Sequence, residues 1–141
     1  MRVLGLDVGS KTIGVAVSDP FNIIAQGITT IAWDEKKIHS ADEQLQEIMK
    51  EYPIEKAVIG LPINTNGTIG ERGEASKRFA SYFEETHNIP VILWDERFST
   101  IAANRTLLEA DVSRTKRKKV IDKIAAVMIL QTYLDSIKKE D

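Results

Sequence analysis

The 141-residue sequence contains no cysteine, which excludes disulfides, thiolate zinc centres and a cysteine nucleophile. No apolar stretch approaches the roughly 18 residues that suggest a membrane span. No internal repeat and no linker interrupts the chain, so 1–141 is expected to form one domain, long enough to bury a real core. The N-terminus enters a strand directly at Arg2-Val3-Leu4, leaving no room for a signal peptide, and a cytoplasmic location is expected. Histidine is scarce: His39 and His87 lie in polar, helical surroundings without a second ligand at metal spacing, and both are expected at the surface. What remains is ordinary for a folded protein, with 43% apolar and 28% charged residues, which excludes disorder.

Charge is unevenly spread. The net charge is −2, a poor match to a nucleic-acid partner if taken alone. From 114 to 141, however, eight cations (Arg114, Lys116, Arg117, Lys118, Lys119, Lys123, Lys138, Lys139) face four acids, so this stretch carries +4 and the rest of the chain −6. Such asymmetry says more about partners than the total does, with a solvated basic loop as the ordinary alternative.

Short apolar runs at 3–8 and 12–17, joined by Gly9-Ser10-Lys11, read as a β-hairpin. Asp19-Pro20 turns the chain into a third strand over 23–31, and the period then changes. Ile38, Leu45, Ile48 and Met49 share a helical face over 35–51, ended by Tyr52-Pro53. Residues 57–61 form a nearly continuous apolar strand of the kind covered on both faces. A loop at 62–73 with Asn66-Gly67 follows, then a helix at 74–86 and a fifth strand at 90–94. A helix capped by Ser99 or Thr100 runs to about 110, and a basic connection at 113–119 leads to a last helix over 120–138. The order implies an α/β fold with a mixed five-stranded sheet: a three-strand antiparallel meander plus two parallel strands, flanked by helices.

Three acids stand in apolar surroundings, where an ionised carboxylate is costly without compensation. They are Asp7 in Leu6-Asp7-Val8-Gly9, Glu96 in Asp95-Glu96-Arg97, and Asp122 in Ile121-Asp122-Lys123. Converging carboxylates make a hard oxygen site suited to Mg²⁺ or Mn²⁺, and a pair of such ions attacks phosphodiesters by in-line displacement. Each acid also has an ordinary alternative. Asp7 can cap the hairpin turn, Asp122 can stabilise a helix N-terminus, and Asp95 or Glu96 can pair with Arg97. Asp95 and Glu96 point to opposite sides while the strand persists, so only one is expected to face the metals. Asp122, Ala125, Ala126 and Ile129 share a helical face whose small residues let the helix lie close to the sheet.

Asp7-Val8-Gly9-Ser10-Lys11-Thr12-Ile13-Gly14-Val15-Ala16, Gly60-Leu61-Pro62, Asp95-Glu96-Arg97-Phe98-Ser99-Thr100 and Ile121-Asp122-Lys123-Ile124-Ala125-Ala126, in this order, resemble the signatures of the bacterial YqgF/RuvX family. The resemblance implies a ribonuclease H-like fold and a nuclease active on precursor 16S rRNA or, alternatively, on Holliday junctions. It also implies that Asp7, Glu96 and Asp122 hold the metals, with Glu96 favoured over Asp95. Lys11 with Thr12 stands where many members carry arginine, so a cation is kept.

Lys11, Asn66, Arg72, Arg97, Arg114, Lys116, Arg117, Lys118, Lys119 and Lys123 are the expected contacts to phosphate or base edges. The expected activity is metal-dependent hydrolysis of the precursor 16S rRNA 5′ end, with ribosomal particles as further partners. A branched-DNA resolvase is the alternative, and a non-catalytic nucleic-acid-binding module the next. No heptad stripe or long apolar edge announces a dimer, so a monomer or weak homodimer is expected. Asp7-x-Gly9 also resembles the first phosphate motif of actin-like ATPases, but no second aspartate–glycine hairpin accompanies it.

Overall fold

The computed structural model describes residues 1–98 and 114–138, with side chains described over 1–97 and 121–137. Strands β1 (Arg2–Val8), β2 (Thr12–Ser18) and β3 (Ala25–Ala32) form the antiparallel meander. Helix α1 (Asp42–Glu51), strand β4 (Ile54–Leu61), helix α2 (Glu71–His87), strand β5 (Val91–Asp95) and helix α3 (Arg114–Lys138) follow. The sheet order is β3-β2-β1-β4-β5, with β4 parallel to both β1 and β5. The expected mixed five-stranded sheet is therefore the one observed, and β1 lies at its centre.

Two apolar layers sandwich the sheet. Leu4, Leu6 and Val8 of β1 join Ile13, Val15, Ile59, Phe79 and Phe83 beneath α1 and α2. Val3, Ala16 and Val58 join Ala125, Ala126, Ile129, Leu130 and Leu134 beneath α3. Strand alternation puts Gly5 and Asp7 on this second face. Ile129, Leu130 and Leu134 are essentially fully buried, each worth roughly 1.5–3 kcal/mol, and they fasten α3 to the sheet. The helix lies unusually close because four strands each present a glycine: ideal Cβ atoms on Gly5, Gly14, Gly27 and Gly60 would all come within 3.0 Å of it.

Several boundaries differ from expectation. The first helix begins as a 3₁₀ turn over Ile38–Ala41, and α1 starts only at Asp42. Glu35 instead folds back on the hairpin, where its amide donates to the Ser10 carbonyl, while the amides of Lys36 and Lys37 donate to Asp34. Helix α2 starts at Glu71, so Arg72 belongs to its first turn rather than to a loop. The basic segment 114–119, expected as a connection, is already helical backbone of α3. That segment contains neither glycine nor proline, so nothing in it stops a helix from propagating. The helix expected from Ser99 or Thr100 lies outside the described residues.

Candidate active site

Asp7 is the penultimate residue of β1 and is only 7% exposed. Its lateral neighbour on β2 is Gly14; on the parallel side the register Leu6↔Ile59 makes Gly60 the next neighbour. Neither lateral neighbour of Asp7 carries a side chain, and helix α3 seats in the resulting slot, with Ile129 Cδ1 2.5 Å from where a Cβ on Gly60 would stand.

The other two acids border that slot. A Cβ on Gly14 would lie 1.9 Å from the backbone oxygen of Asp122. A Cβ on Gly60 would lie 2.8 Å from Glu96 Oε1. Asp122 thus crosses above the β2 side of Asp7, and the Glu96 carboxylate reaches over the β4 side. Neighbouring strands are about 4.8 Å apart, so acids from three distant segments lie at one end of one sheet face, spread over three adjacent strands. The approach is not closed into a metal cage: among the described residues, no three His, Asp or Glu side chains form a group able to hold an ion. The Asp122 carboxylate instead accepts a short hydrogen bond from the Thr12 hydroxyl on β2.

The choice between Asp95 and Glu96 follows from geometry. Asp95 ends β5, and its carboxylate takes the Arg97 guanidinium in a bidentate pair, with Nη2 to Oδ2 at 2.8 Å and Nε at 3.1–3.2 Å. The Arg97 guanidinium and backbone amide hold the Asp95 carboxyl below its ordinary pKa. Glu96 opens a 3₁₀ turn and swings toward Gly60. Arg97, expected as a phosphate contact, already has a carboxylate partner, which weakens its claim on a phosphate.

Arg72 likewise faces inward. Its Nη1 donates to Glu35 Oε2 at 2.8 Å and its Nη2 to the Val8 carbonyl at 3.2 Å, so it fastens the strand end beside Asp7. Trp33 supports the same hairpin: its indole N–H donates to the Gly9 carbonyl, and its ring meets Phe79 edge-on. Lys11 is exposed at the hairpin tip. Lys123 is exposed, with its aliphatic stem against Gly27 of β3. Asn66 is exposed, but its Oδ1 already accepts from the Thr68 amide and hydroxyl at 3.0 and 2.6 Å. The side chains of Arg114, Lys116, Arg117, Lys118 and Lys119 lie outside the described residues.

Sequence reasoning missed Thr12, and with it the glycine flanks of Asp7. The available signal was Gly14 and Gly60 on strands beside an apolar-run aspartate, legible only once strand order was known. It also misplaced His87, whose side chain is 4% exposed, packed on Phe83 and 3.9 Å from Asp42.

The family described as "RuvX: Holliday junction resolvase" matches residues 1–136. The chain belongs to the RuvX family. A relative from Oceanobacillus iheyensis, named "Putative pre-16S rRNA nuclease", is 67% identical over 135 residues, covering 96% of this chain and 98% of its own. A Bacillus licheniformis relative of the same name is 61% identical over 137 residues, covering 97% and 99%. Among solved structures, Thermus thermophilus RuvC in complex with a Holliday junction substrate superposes with a TM-score of 0.64 at 10% identity. It covers 99% of this chain and 96% of RuvC. At that identity the likeness concerns the fold, and it agrees with the ribonuclease H-like arrangement of this RuvX chain.

Proposed function

We propose that this RuvX chain is a single-domain, divalent-metal-dependent nuclease whose substrate is the 5′ end of precursor 16S rRNA. One observation carries the reading: a buried aspartate flanked by two glycines, with the Glu96 carboxylate and the Asp122 segment approaching over those flanks. The substrate class comes from the relatives' name.

The donor set suits Mg²⁺ or Mn²⁺, since Asp7, Glu96 and Asp122 supply only hard carboxylate oxygens. A bound pair of such ions would supply an activated water and charge neutralisation at the leaving oxygen. Asp7, Glu96 and Asp122 would hold the ions. Thr12 holds the Asp122 carboxylate on the β2 side. Arg72 and Trp33 fix the strand end and the hairpin that carry Asp7. Lys11 and Lys123, with the cations of 114–119, neutralise backbone phosphates and hold the scissile bond to the sheet edge. Hydrolysis breaks one P–O bond; water's hydroxyl stays on phosphorus and its proton passes to the leaving oxygen.

The family's own description favours a second reading, cleavage of a four-way DNA junction. That reaction needs two matched sites and hence a dimer on the junction. No helix among the described residues is long and apolar enough to cross a membrane, and we place the reaction in the cytoplasm.

The test is cleavage of a labelled precursor 16S 5′ end and of a four-way junction with Mg²⁺ or Mn²⁺, alongside Asp7→Asn and EDTA controls. Precursor cutting lost in both controls is expected. Symmetric junction cutting alone would transfer the assignment to the resolvase. Undiminished RNA binding without cleavage of either substrate would leave a non-catalytic binding module.

A further inference from the structure

The loop 19–24 joins β2 to β3 at the end of the sheet opposite Asp7. Its backbone is closely tied down. Asp19 Oδ1 accepts from the amides of Ile23 and Ile24 at 2.6 and 2.8 Å, and Oδ2 from that of Phe21 at 3.4 Å. The Asp19 amide donates to the Ile24 carbonyl and the Asn22 amide to the Asp19 carbonyl, both at 3.0 Å. Asn22 takes the left-handed conformation at φ 57°, and its Oδ1 accepts from the buried Ser18 hydroxyl. Gln131 of α3 donates to the Ile23 carbonyl at 3.0 Å. The amides of Ile24 and Ile23, and more weakly that of Phe21, hold the Asp19 carboxyl below its ordinary pKa.

A loop so fully satisfied internally nevertheless turns its apolar side chains outward. Phe21 is 82% exposed, Ile24 62% and Ile23 42%. Scattered exposed apolar residues are ordinary, but three within four positions of one rigid loop form a preorganised anchor. The surroundings select its partner. Asp19, Glu55, which accepts from Asn22, and Asp135, which accepts from Gln131, put acids around the patch. Among the described residues, Arg2 lies over the Tyr52 ring and donates to the Ser18 carbonyl, and Lys56 lies over the Tyr133 ring. A basic protein surface with an apolar pocket is complementary to the exposed apolar side chains and the acids bonded to this loop.

We infer that the Phe21–Ile24 loop docks on a basic protein carried by the precursor ribosomal particle, leaving the Asp7 end facing RNA. The identity of the particle rests on the precursor-16S reading above; the loop chemistry does not.

The test uses the full chain in an Asp7→Asn background, co-sedimented with purified precursor small-subunit particles and, separately, with naked precursor RNA. Phe21→Ser/Ile24→Ser is expected to lower particle binding by about tenfold or more, the loss typical of removing anchor side chains, with naked-RNA binding unchanged. Glu55→Lys is expected to weaken particle binding, because it opposes a basic partner; stronger particle binding would mean that RNA is the ligand and would overturn the proposal. Equal losses on particle and naked RNA, or no loss on either, would also overturn it. In the active chain, Phe21→Ser/Ile24→Ser is expected to cleave naked RNA at the parental rate. Absence of any cleavage by the parent, with loop-dependent sedimentation retained, would remove the nuclease reading and leave docking in place.

Discussion

Gly14→Ala probes the slot around Asp7 without touching a carboxylate. The new Cβ would sit 1.9 Å from the Asp122 oxygen, 2.4 Å from its carbonyl carbon and 3.1 Å from the Lys123 amide. Ordinary contact begins near 3.4 Å, so α3 and β2 must separate by about 1.5 Å. Neither side yields easily, because β2 is paired to both β1 and β3 and the obstructing atoms are helix backbone. Overpacking of this kind costs about 1–3 kcal/mol. The unfolded chain's smaller entropy offsets about 0.4–1 kcal/mol. A net loss of about 1–2 kcal/mol lowers Tm by roughly 3–8 °C. The catalytic effect is larger. Displacing Asp122 by about 1 Å from its partners costs on the order of 100-fold in rate. Single-turnover cleavage, measured well below the lowered Tm, separates the two effects. Gly70→Ala is the control, since its Cβ would meet nothing closer than Asn64 Nδ2 at 3.5 Å. A Gly14→Ala chain that cuts within about threefold of the parent would refute the placement of Asp122 over the slot.

Thr12→Val removes the hydroxyl that holds the Asp122 carboxylate. It is expected to raise the metal concentration for half-maximal cleavage by about tenfold, with Thr12→Ser close to the parent; a metal titration checks both. Arg72→Ala releases Glu35 and the Val8 carbonyl and is expected to cost about 1 kcal/mol in chemical denaturation, discounted because the side chain is half-exposed. Arg72→Lys should not restore it, as an ammonium lacks the fork; unchanged stability with weaker RNA binding would make Arg72 a phosphate ligand instead. Burial pushes the His87 pKa below its ordinary value against the opposing pull of Asp42. Between about pH 6.5 and the lower folded pKa, the unfolded chain holds a proton that the folded chain does not. Stability is therefore full above that window and falls as pH drops through it, by at most about 1.4 kcal/mol per pH unit. His87→Leu should flatten that limb of the urea-midpoint profile, and an unchanged limb would assign it to other groups.

Local chemistry made most of the fold legible. Apolar alternation, the Gly9-Ser10-Lys11 turn and the strand–helix–strand order are relations between residues a few positions apart, and they sufficed for the mixed sheet with Asp7 near the end of β1. Ordered motifs sufficed for the family. Lateral neighbours are another matter. That Gly14 and Gly60 flank Asp7 depends on β1 lying between β2 and β4, a pairing of segments tens of residues apart. The commitment of Asp95 to Arg97 and of Glu96 to the α3 face depends on where β5 gives way to a 3₁₀ turn, which alternation could not locate. His87 reads as polar along its helix, yet it is buried because α1 places Asp42 against that side of α2. Arg72 looked like a loop cation until the helix start and the fold-back of Glu35 gave it inward partners. Sequence by itself determined which acids and which elements this protein has; the tertiary structure decided which glycines leave room beside Asp7 and which cations are already taken, because packing distances are set by strand order and helix approach rather than by spacing along the chain.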